Sequence, residues 1–110
     1  MTICIAACVQ MNSQDNFAVN IRAAEQGVRE AKAQGAQFIT LPENVFFMQA
    51  PGKGGHPSPE GGIIRLGALA HELGVWILIG SVQVSSSQEK FFNRSLLIND
   101  TGVIAAQYDK

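Results

Sequence analysis

Short apolar runs and apolar stripes alternate along the first half of the chain and predict two strands joined by a helix. Residues 3–9 (ICIAACV) and 37–41 (QFITL) are nearly continuous apolar runs, typical of strands covered on both faces. Between them, apolar side chains recur at steps of four and three, on one stripe of a helix: Phe17, Ile21, Ala24, Val28 and Ala31. Asp15 or Asn16 can cap this helix, and Gly35 can end it.

A second helix is predicted after a loop over residues 48–59. This segment contains three of the four prolines and three glycines. Ser58 can cap the helix with Pro59 at its first position, and Gly74 can end it. The apolar stripe of this helix comprises Ile63, Leu66, Ala70 and Leu73.

Three further strands follow the second helix. Residues 75–84 begin as a buried run and end in alternation, as a longer strand does. After a polar loop at residues 85–90, strands at 91–98 and 103–108 flank a turn made of Asn99, Asp100, Thr101 and Gly102, which predicts a hairpin. The order β-α-β-α-β-β-β predicts an α/β unit whose first crossover is parallel and right-handed.

The predicted elements leave one face of the sheet without a covering layer. Strands that are apolar on both faces need two such layers, and two helices can cover only one face of a five-stranded sheet. Either the sheet pairs with another chain, or the 110 residues are part of something larger.

Composition and charge narrow the class of protein. Of the 110 residues, 46% are apolar and 15% are charged, which favours one packed domain over disorder. The net charge of -1, without any run of like charge, argues against nucleic acid or an anionic membrane surface as a partner. No apolar run approaches the roughly 20 residues that span a bilayer, and the first residues lack a signal-peptide pattern.

The two cysteines, Cys4 and Cys8, both belong to the first predicted strand. At about 3.3 Å per residue they would point to the same face about 13 Å apart, too far for a disulfide. We expect both thiols to be reduced and buried, as in a cytoplasmic protein, and to serve packing rather than catalysis.

Glu43 is the most informative candidate for chemistry, in the tetrapeptide Leu41-Pro42-Glu43-Asn44. It follows the carboxyl end of a predicted parallel strand, where open α/β sheets bind ligands. Its apolar neighbours would shield the carboxylate from water, as suits a general base. The alternative is a loop glutamate that caps a backbone donor. Lys110, by itself, is a solvated terminal lysine.

Six short motifs occur in a specific order and spacing along the chain: Val9-Gln10-Met11, Leu41-Pro42-Glu43-Asn44, Ile79-Gly80-Ser81, Asn93-Arg94-Ser95-Leu96-Leu97-Ile98, Gly102-Val103-Ile104 and Tyr108-Asp109-Lys110. Their ordered combination resembles the N-terminal part of the nitrilase superfamily of carbon–nitrogen hydrolases. The resemblance covers essentially the whole chain. It implies a four-layer α-β-β-α sandwich, of which residues 1–110 would form a partial domain, incomplete at its C-terminal end.

The resemblance also implies a Glu-Lys-Cys catalytic set. Glu43 matches the general base, and Lys110 matches the lysine that stabilises the oxyanion. The nucleophilic cysteine of the family lies beyond this lysine, so we expect the 110-residue chain alone to be inactive.

The same resemblance suggests the reaction. It implies a thiol-dependent amidase that releases ammonia from small amides, closest to the branch acting on ω-amides of dicarboxylates or on deaminated glutathione, rather than a true nitrilase. It implies no metal or organic cofactor, and it is compatible with a homo-oligomer.

Two other functions stay open. The chain can be a non-catalytic binding or assembly module that pairs through its uncovered sheet face. More weakly, Gly52-Lys53-Gly54-Gly55 suggests a nucleotide-binding loop, although it lacks the Gly-x-x-x-x-Gly-Lys-Ser/Thr spacing.

Overall fold

The computed structural model describes residues 3–48, 57–85 and 91–110. Within these ranges the predicted order β-α-β-α-β-β-β is confirmed. The elements are β1 (Ala6–Cys8), α1 (Phe17–Ala33), β2 (Phe38–Leu41), α2 (Glu60–Leu73), β3 (Trp76–Ser85), β4 (Phe91–Ile98) and β5 (Ile104–Asp109). Most of the loop predicted at 48–59, most of that at 85–90 and the glycine-rich segment at 52–55 lie outside the described residues.

All five strands form one sheet in the order β1-β2-β3-β4-β5. β1, β2 and β3 run parallel, whereas β4 and β5 continue the sheet in antiparallel register. The carboxyl ends of the three parallel strands therefore meet at one edge. The pairing of β3 with β4 shifts register between Ile79 and Val82, which marks a bulge or similar irregularity close to that edge.

Both helices lie on the same face of the sheet. They contact each other through the ion pairs Arg29–Glu72, at 2.6 Å, and Arg65–Glu25. Their buried stripes share one core with the inward side chains of the sheet, including Ile21, Ala24, Val28, Leu66, Leu69, Ile39, Leu41, Ile77, Ile79, Leu96 and Ile98. Since burying one Leu or Ile side chain contributes about 1.5–3 kcal/mol, this two-layer core is the main source of stability.

The opposite face of the sheet is not covered by any described element. The strand register places on it, among others, Ala6, Cys8, Phe38, Thr40, Trp76, Leu78, Leu97, Ala106 and Tyr108. Tyr108 is 69% exposed and Trp76 is only partly buried. The single helical layer expected from the element count is thus confirmed within the described part of the chain.

The expectation that Cys4 and Cys8 are buried is wrong. Both thiols are free and exposed. The apolar run that suggested burial belongs to an edge strand with one face against α1 and the other face open. β1 itself has three residues instead of the predicted seven, although the carbonyl oxygen of Ile5 still accepts a hydrogen bond from the amide of Gln37 at 2.8 Å.

The helix ends follow the predicted capping chemistry with one shift. Asn16 caps α1, because its Oδ1 accepts a hydrogen bond from the amide of Val19 at 3.1 Å. α2 begins one residue later than predicted: Pro59 is the capping residue, and the hydroxyl oxygen of Ser58 accepts from the amide of Glu60 at 3.4 Å. In the described ranges, neither helix is long and apolar enough to cross a membrane.

Candidate active site

Glu43 lies on a short turn that leaves β2 and crosses the middle of β3, at Gly80 and Ser81. Pro42 ends β2 because it has no amide donor for the sheet. The amide of Asn44 then donates to the hydroxyl oxygen of Ser81 at 2.9 Å, and the amide of Val45 donates to the carbonyl oxygen of Ser81 at 3.2 Å. Two consecutive amides after Glu43 are therefore fixed to one residue of β3.

Gly80 allows this crossing because the turn lies directly against it. A Cβ atom at position 80 would lie 2.6 Å from the carbonyl oxygen of Leu41 and 2.6 Å from the carbonyl carbon of Pro42. No side chain fits there without moving the backbone that leads to Glu43. The hydroxyl of Ser95 on β4 donates to the carbonyl oxygen of Gly80 at 2.6 Å and so ties the crossing point to the next strand.

A second set of hydrogen bonds anchors the residues that follow the turn. Asn20 of α1 is 2% exposed, and its Nδ2 donates to the carbonyl oxygen of Phe46 at 2.7 Å. The hydroxyl of Ser13 donates to the carbonyl oxygen of Val45 at 3.2 Å. Because Val45 and Phe46 are themselves buried, the segment after Glu43 is held by both packing and hydrogen bonds.

Lys110 reaches Glu43 from the far edge of the sheet. Its backbone amide donates to the carbonyl oxygen of Asn93 at 2.9 Å, which keeps it in register with β4 just past the end of β5. Its Nζ donates to Oε1 of Glu43 and forms an ion pair with it. The structure thus brings together the two site residues predicted from the sequence, although 67 positions and three strand pairings separate them.

A cross-strand ion pair supports the end of β5 next to Lys110. The guanidinium of Arg94 donates to both carboxylate oxygens of Asp109, with Nε–Oδ1 at 2.6 Å and Nη2–Oδ2 at 3.1 Å. This hydrogen-bonded partner lowers the pKa of the Asp109 carboxyl from its ordinary value. The pair is a bidentate one between residues directly opposite in the β4–β5 ladder.

The candidate pair is open to solvent. The side chain of Glu43 is 65% exposed and that of Lys110 is 37% exposed. The prediction that apolar neighbours shield the Glu43 carboxylate is therefore wrong for the described residues. The reason is that Val45 and Phe46 turn into the helix-side core, while the carboxylate points to Lys110.

Ser81 and Asn20 are among the residues at this site whose contacts the sequence did not predict. The visible signal for Ser81 is a Gly-Ser pair that directly follows the apolar run at residues 75–79. The sequence does not show that Ser81 bonds to Asn44. This contact depends on the irregularity in β3 and on where the turn after β2 crosses that strand. Among the described residues, no group of three or more His, Cys, Asp or Glu side chains is arranged to hold a metal ion.

The sequence of this chain matches a known protein family and several named proteins. The carbon-nitrogen hydrolase family model matches residues 5–110. The chain is 32% identical to a human deaminated glutathione amidase over 114 aligned positions, covering 96% of this chain and 35% of that protein. It is 29% identical to an Arabidopsis thaliana N-carbamoylputrescine amidase, covering 96% of this chain and 38% of that protein. The chain thus spans less than half the length of these curated relatives.

Solved structures show the same fold. A Nesterenkonia AN1 amidase from the nitrilase superfamily superposes with a TM-score of 0.82 at 23% identity, covering 96% of this chain and 42% of that one. The Caenorhabditis elegans NitFhit protein superposes with a TM-score of 0.76 at 21% identity, covering 98% of this chain and 29% of that one. The predicted α/β class, part of the nitrilase-type fold, is confirmed. With a family model matched over residues 5–110, the chain belongs to the carbon–nitrogen hydrolase family.

Proposed function

We propose that this chain is the part of a thiol-dependent amidase that carries the general base and the oxyanion-stabilising lysine. The observation that carries the proposal is the contact between Glu43 and Lys110, made across the sheet at the carboxyl end of β2. Such a position at the strand ends is where α/β sheets bind ligands. The proposed substrates are small amides, and the proposed products are a carboxylic acid and ammonia.

The relatives support an amidase rather than a nitrilase. The human and Arabidopsis proteins described above are both named as amidases. A structure of the Nesterenkonia amidase is described as showing acrylamide added at its active-site cysteine. For the present chain we therefore propose the branch that acts on small ω-amides or on deaminated glutathione, with a cysteine as the nucleophile.

The proposed reaction explains why the site has a carboxylate, Glu43, and an ammonium group, Lys110. An amide carbon is a poor electrophile, so a thiolate is a suitable nucleophile. In the proposed reaction Glu43 takes the thiol proton and returns it to the departing ammonia, while a thioester forms. The ammonium of Lys110 stabilises the negative oxygen of the tetrahedral intermediate, which contributes about 3–4 kcal/mol in comparable sites. Glu43 then activates the water that hydrolyses the thioester.

The nucleophile of this proposal comes from outside residues 1–110. Cys8 lies on β1, at the edge of the sheet opposite to β5, and Cys4 precedes it. Neither thiol forms a hydrogen bond with Glu43 or Lys110 among the described residues. We therefore propose that residues 1–110 are an incomplete domain and are inactive alone. The proposed thioester chemistry requires no metal or organic cofactor.

Two further features belong to the same proposal. We propose a reducing, cytoplasmic environment, in which exposed thiols such as those of Cys4 and Cys8 stay reduced. The family resemblance is compatible with a homo-oligomeric complete protein.

Replacement of Glu43 by Gln tests the proposal. The test uses the extended protein, by which we mean this chain continued past residue 110 to include the proposed cysteine. In it, Glu43→Gln keeps the shape of the side chain and removes the base. Ammonia release from a small ω-amide should therefore fall at least about 100-fold. Glu60→Gln, an exposed carboxylate at the start of α2, is the matched control and should keep wild-type activity. Full activity of a folded Glu43→Gln protein would refute the role of Glu43.

The uncovered face of the sheet favours one alternative, a non-catalytic assembly module. That face exposes apolar side chains from all five strands, including Phe38, Leu78 and Leu97. Size-exclusion chromatography with light scattering on the 110-residue chain separates the two ideas. A discrete, stable oligomer would favour the assembly module, whereas aggregation is the result expected for an incomplete domain.

A further inference from the structure

Ser81 is a buried hydroxyl in the middle of the longest strand. It is 1% exposed and lies between Ile79 and Val82 at the register shift of β3. Its hydroxyl oxygen accepts a hydrogen bond from the amide of Asn44 at 2.9 Å, and its carbonyl oxygen accepts from the amide of Val45 at 3.2 Å. A buried polar group in a strand core is favourable only with such partners, so the hydroxyl is committed to the turn.

The turn that Ser81 holds is in an unusual conformation. Asn44 has φ of 51°, and it is the one non-glycine residue in the described chain with positive φ. An L-residue in this region costs about 1–3 kcal/mol and persists when its surroundings hold it, which is common at functional sites. Glu43 directly precedes Asn44, so the direction of the Glu43 side chain depends on this backbone.

We propose that Ser81 is a positioning residue for Glu43. Its hydroxyl fixes the amide of Asn44 in the left-handed region, and this conformation aims the Glu43 carboxylate at Lys110. The inference rests on the proposed function, since it concerns the same base. Ser81 acts through Asn44, and its hydroxyl forms no hydrogen bond with Glu43 or Lys110 among the described residues.

The other anchors of this segment lie further from Glu43. Ser13 holds the carbonyl of Val45, and Asn20 holds the carbonyl of Phe46. Within the described residues, the side chain that bonds to the backbone of Asn44 is that of Ser81. Ser81 should therefore affect the geometry of the base more than either of the other two.

Kinetics of Ser81→Ala in the extended protein test this role. The variant loses the hydroxyl but keeps the strand, so the base is misplaced while substrate binding is largely kept. We expect kcat to fall about 10- to 100-fold, the size of effect that a displacement of roughly 1 Å can produce. KM should stay within about twofold, and circular dichroism should show a folded protein.

Thr40→Val is the matched control. It removes a partly buried hydroxyl on β2 whose bond to the carbonyl oxygen of Ala7 is long, at 3.5 Å, and it leaves the turn after Glu43 untouched. Its kcat should match that of the wild type. If Ser81→Ala does not fold, Ser81→Cys keeps a side chain of similar shape with a weaker acceptor and should show the same loss of kcat with unchanged KM.

The outcomes separate this inference from the proposed function. A folded Ser81→Ala protein with wild-type kcat, or a loss no larger than that of Thr40→Val, overturns the positioning role. If Glu43→Gln is inactive in the same assay, the proposed function then stands without it. If Glu43→Gln is fully active, the proposed function and the positioning role both fail.

Discussion

Among single residues, the Arg94–Asp109 pair gives a pH-dependent prediction. The Asp109 pKa is lowered from its ordinary value of 3.8, chiefly by the hydrogen bond from Arg94. A carboxyl whose pKa is lower in the folded state stabilises the fold above its unfolded pKa, and this stabilisation disappears as pH falls through the folded value. Asp109→Asn should therefore lower the free energy of unfolding at pH 7, with the difference from wild type vanishing in strong acid.

Urea unfolding of the extended protein between pH 7 and pH 2 measures this difference. Asp100→Asn is the control, because Asp100 is exposed in the hairpin turn and forms no ion pair with a described residue. Its stability should follow that of the wild type at every pH. A difference between Asp109→Asn and wild type that persists unchanged in strong acid would contradict the ion-pair explanation.

Single residues also show where inference from sequence succeeds. Glu43 and Lys110 were identified through ordered motifs, and the structure places them in contact; their catalytic roles stay predictions. The expected shielding of Glu43 was wrong, because neighbours in sequence need not be neighbours of the side chain. The burial of Cys4 was wrong for a related reason: an apolar strand shows which side chains tolerate burial and leaves open what covers them.

At the scale of elements, two adjacent glycines of α2 give a matched pair of substitutions. A Cβ at Gly62 would lie 2.6 Å from Cζ of the buried Phe46 ring, whereas a Cβ at Gly61 meets nothing within 4 Å. Gly62→Ala should therefore lower the free energy of unfolding by about 1–3 kcal/mol through overpacking. Gly61→Ala should raise it by up to about 1 kcal/mol, because alanine favours a helix.

Urea unfolding at constant pH checks the pair, with parallel slopes indicating the same unfolding transition. If both substitutions stabilise equally, Phe46 does not press on α2 as the structure indicates. This contact also explains why α2 has a glycine at position 62, although glycine weakens a helix. Gly62 makes room for the ring that anchors the segment after Glu43.

Element identities were predictable because the helices have apolar stripes and the strands are short apolar or alternating segments bounded by turn residues. Bounds differ by only a residue or so for α2, β3 and β5, and β4 matches its prediction at 91–98. β1 is the exception, since the preceding Ile3 and Ile5 are apolar but exposed at the sheet edge. The register shift between Ile79 and Val82 of β3 could not be predicted, because the alternation of residues along the strand does not reveal it.

At the scale of the whole molecule, the described residues form one helical layer and one sheet. The missing cover was predictable from counting elements, and the structure confirms it for the described residues. The chain covers 35% and 38% of the two curated amidases described above. The open sheet face and the proposed external cysteine have the same proposed explanation, which is that residues 1–110 are an incomplete domain. In this proposal they supply two of the three catalytic groups.

Ammonia release from one small ω-amide, measured side by side for the 110-residue chain and for the extended protein, tests that account most directly. The account predicts steady release by the extended protein and none above background by residues 1–110, because the thiol nucleophile is supplied from elsewhere. Ammonia release by the purified 110-residue chain at a rate comparable to that of the extended protein would contradict it.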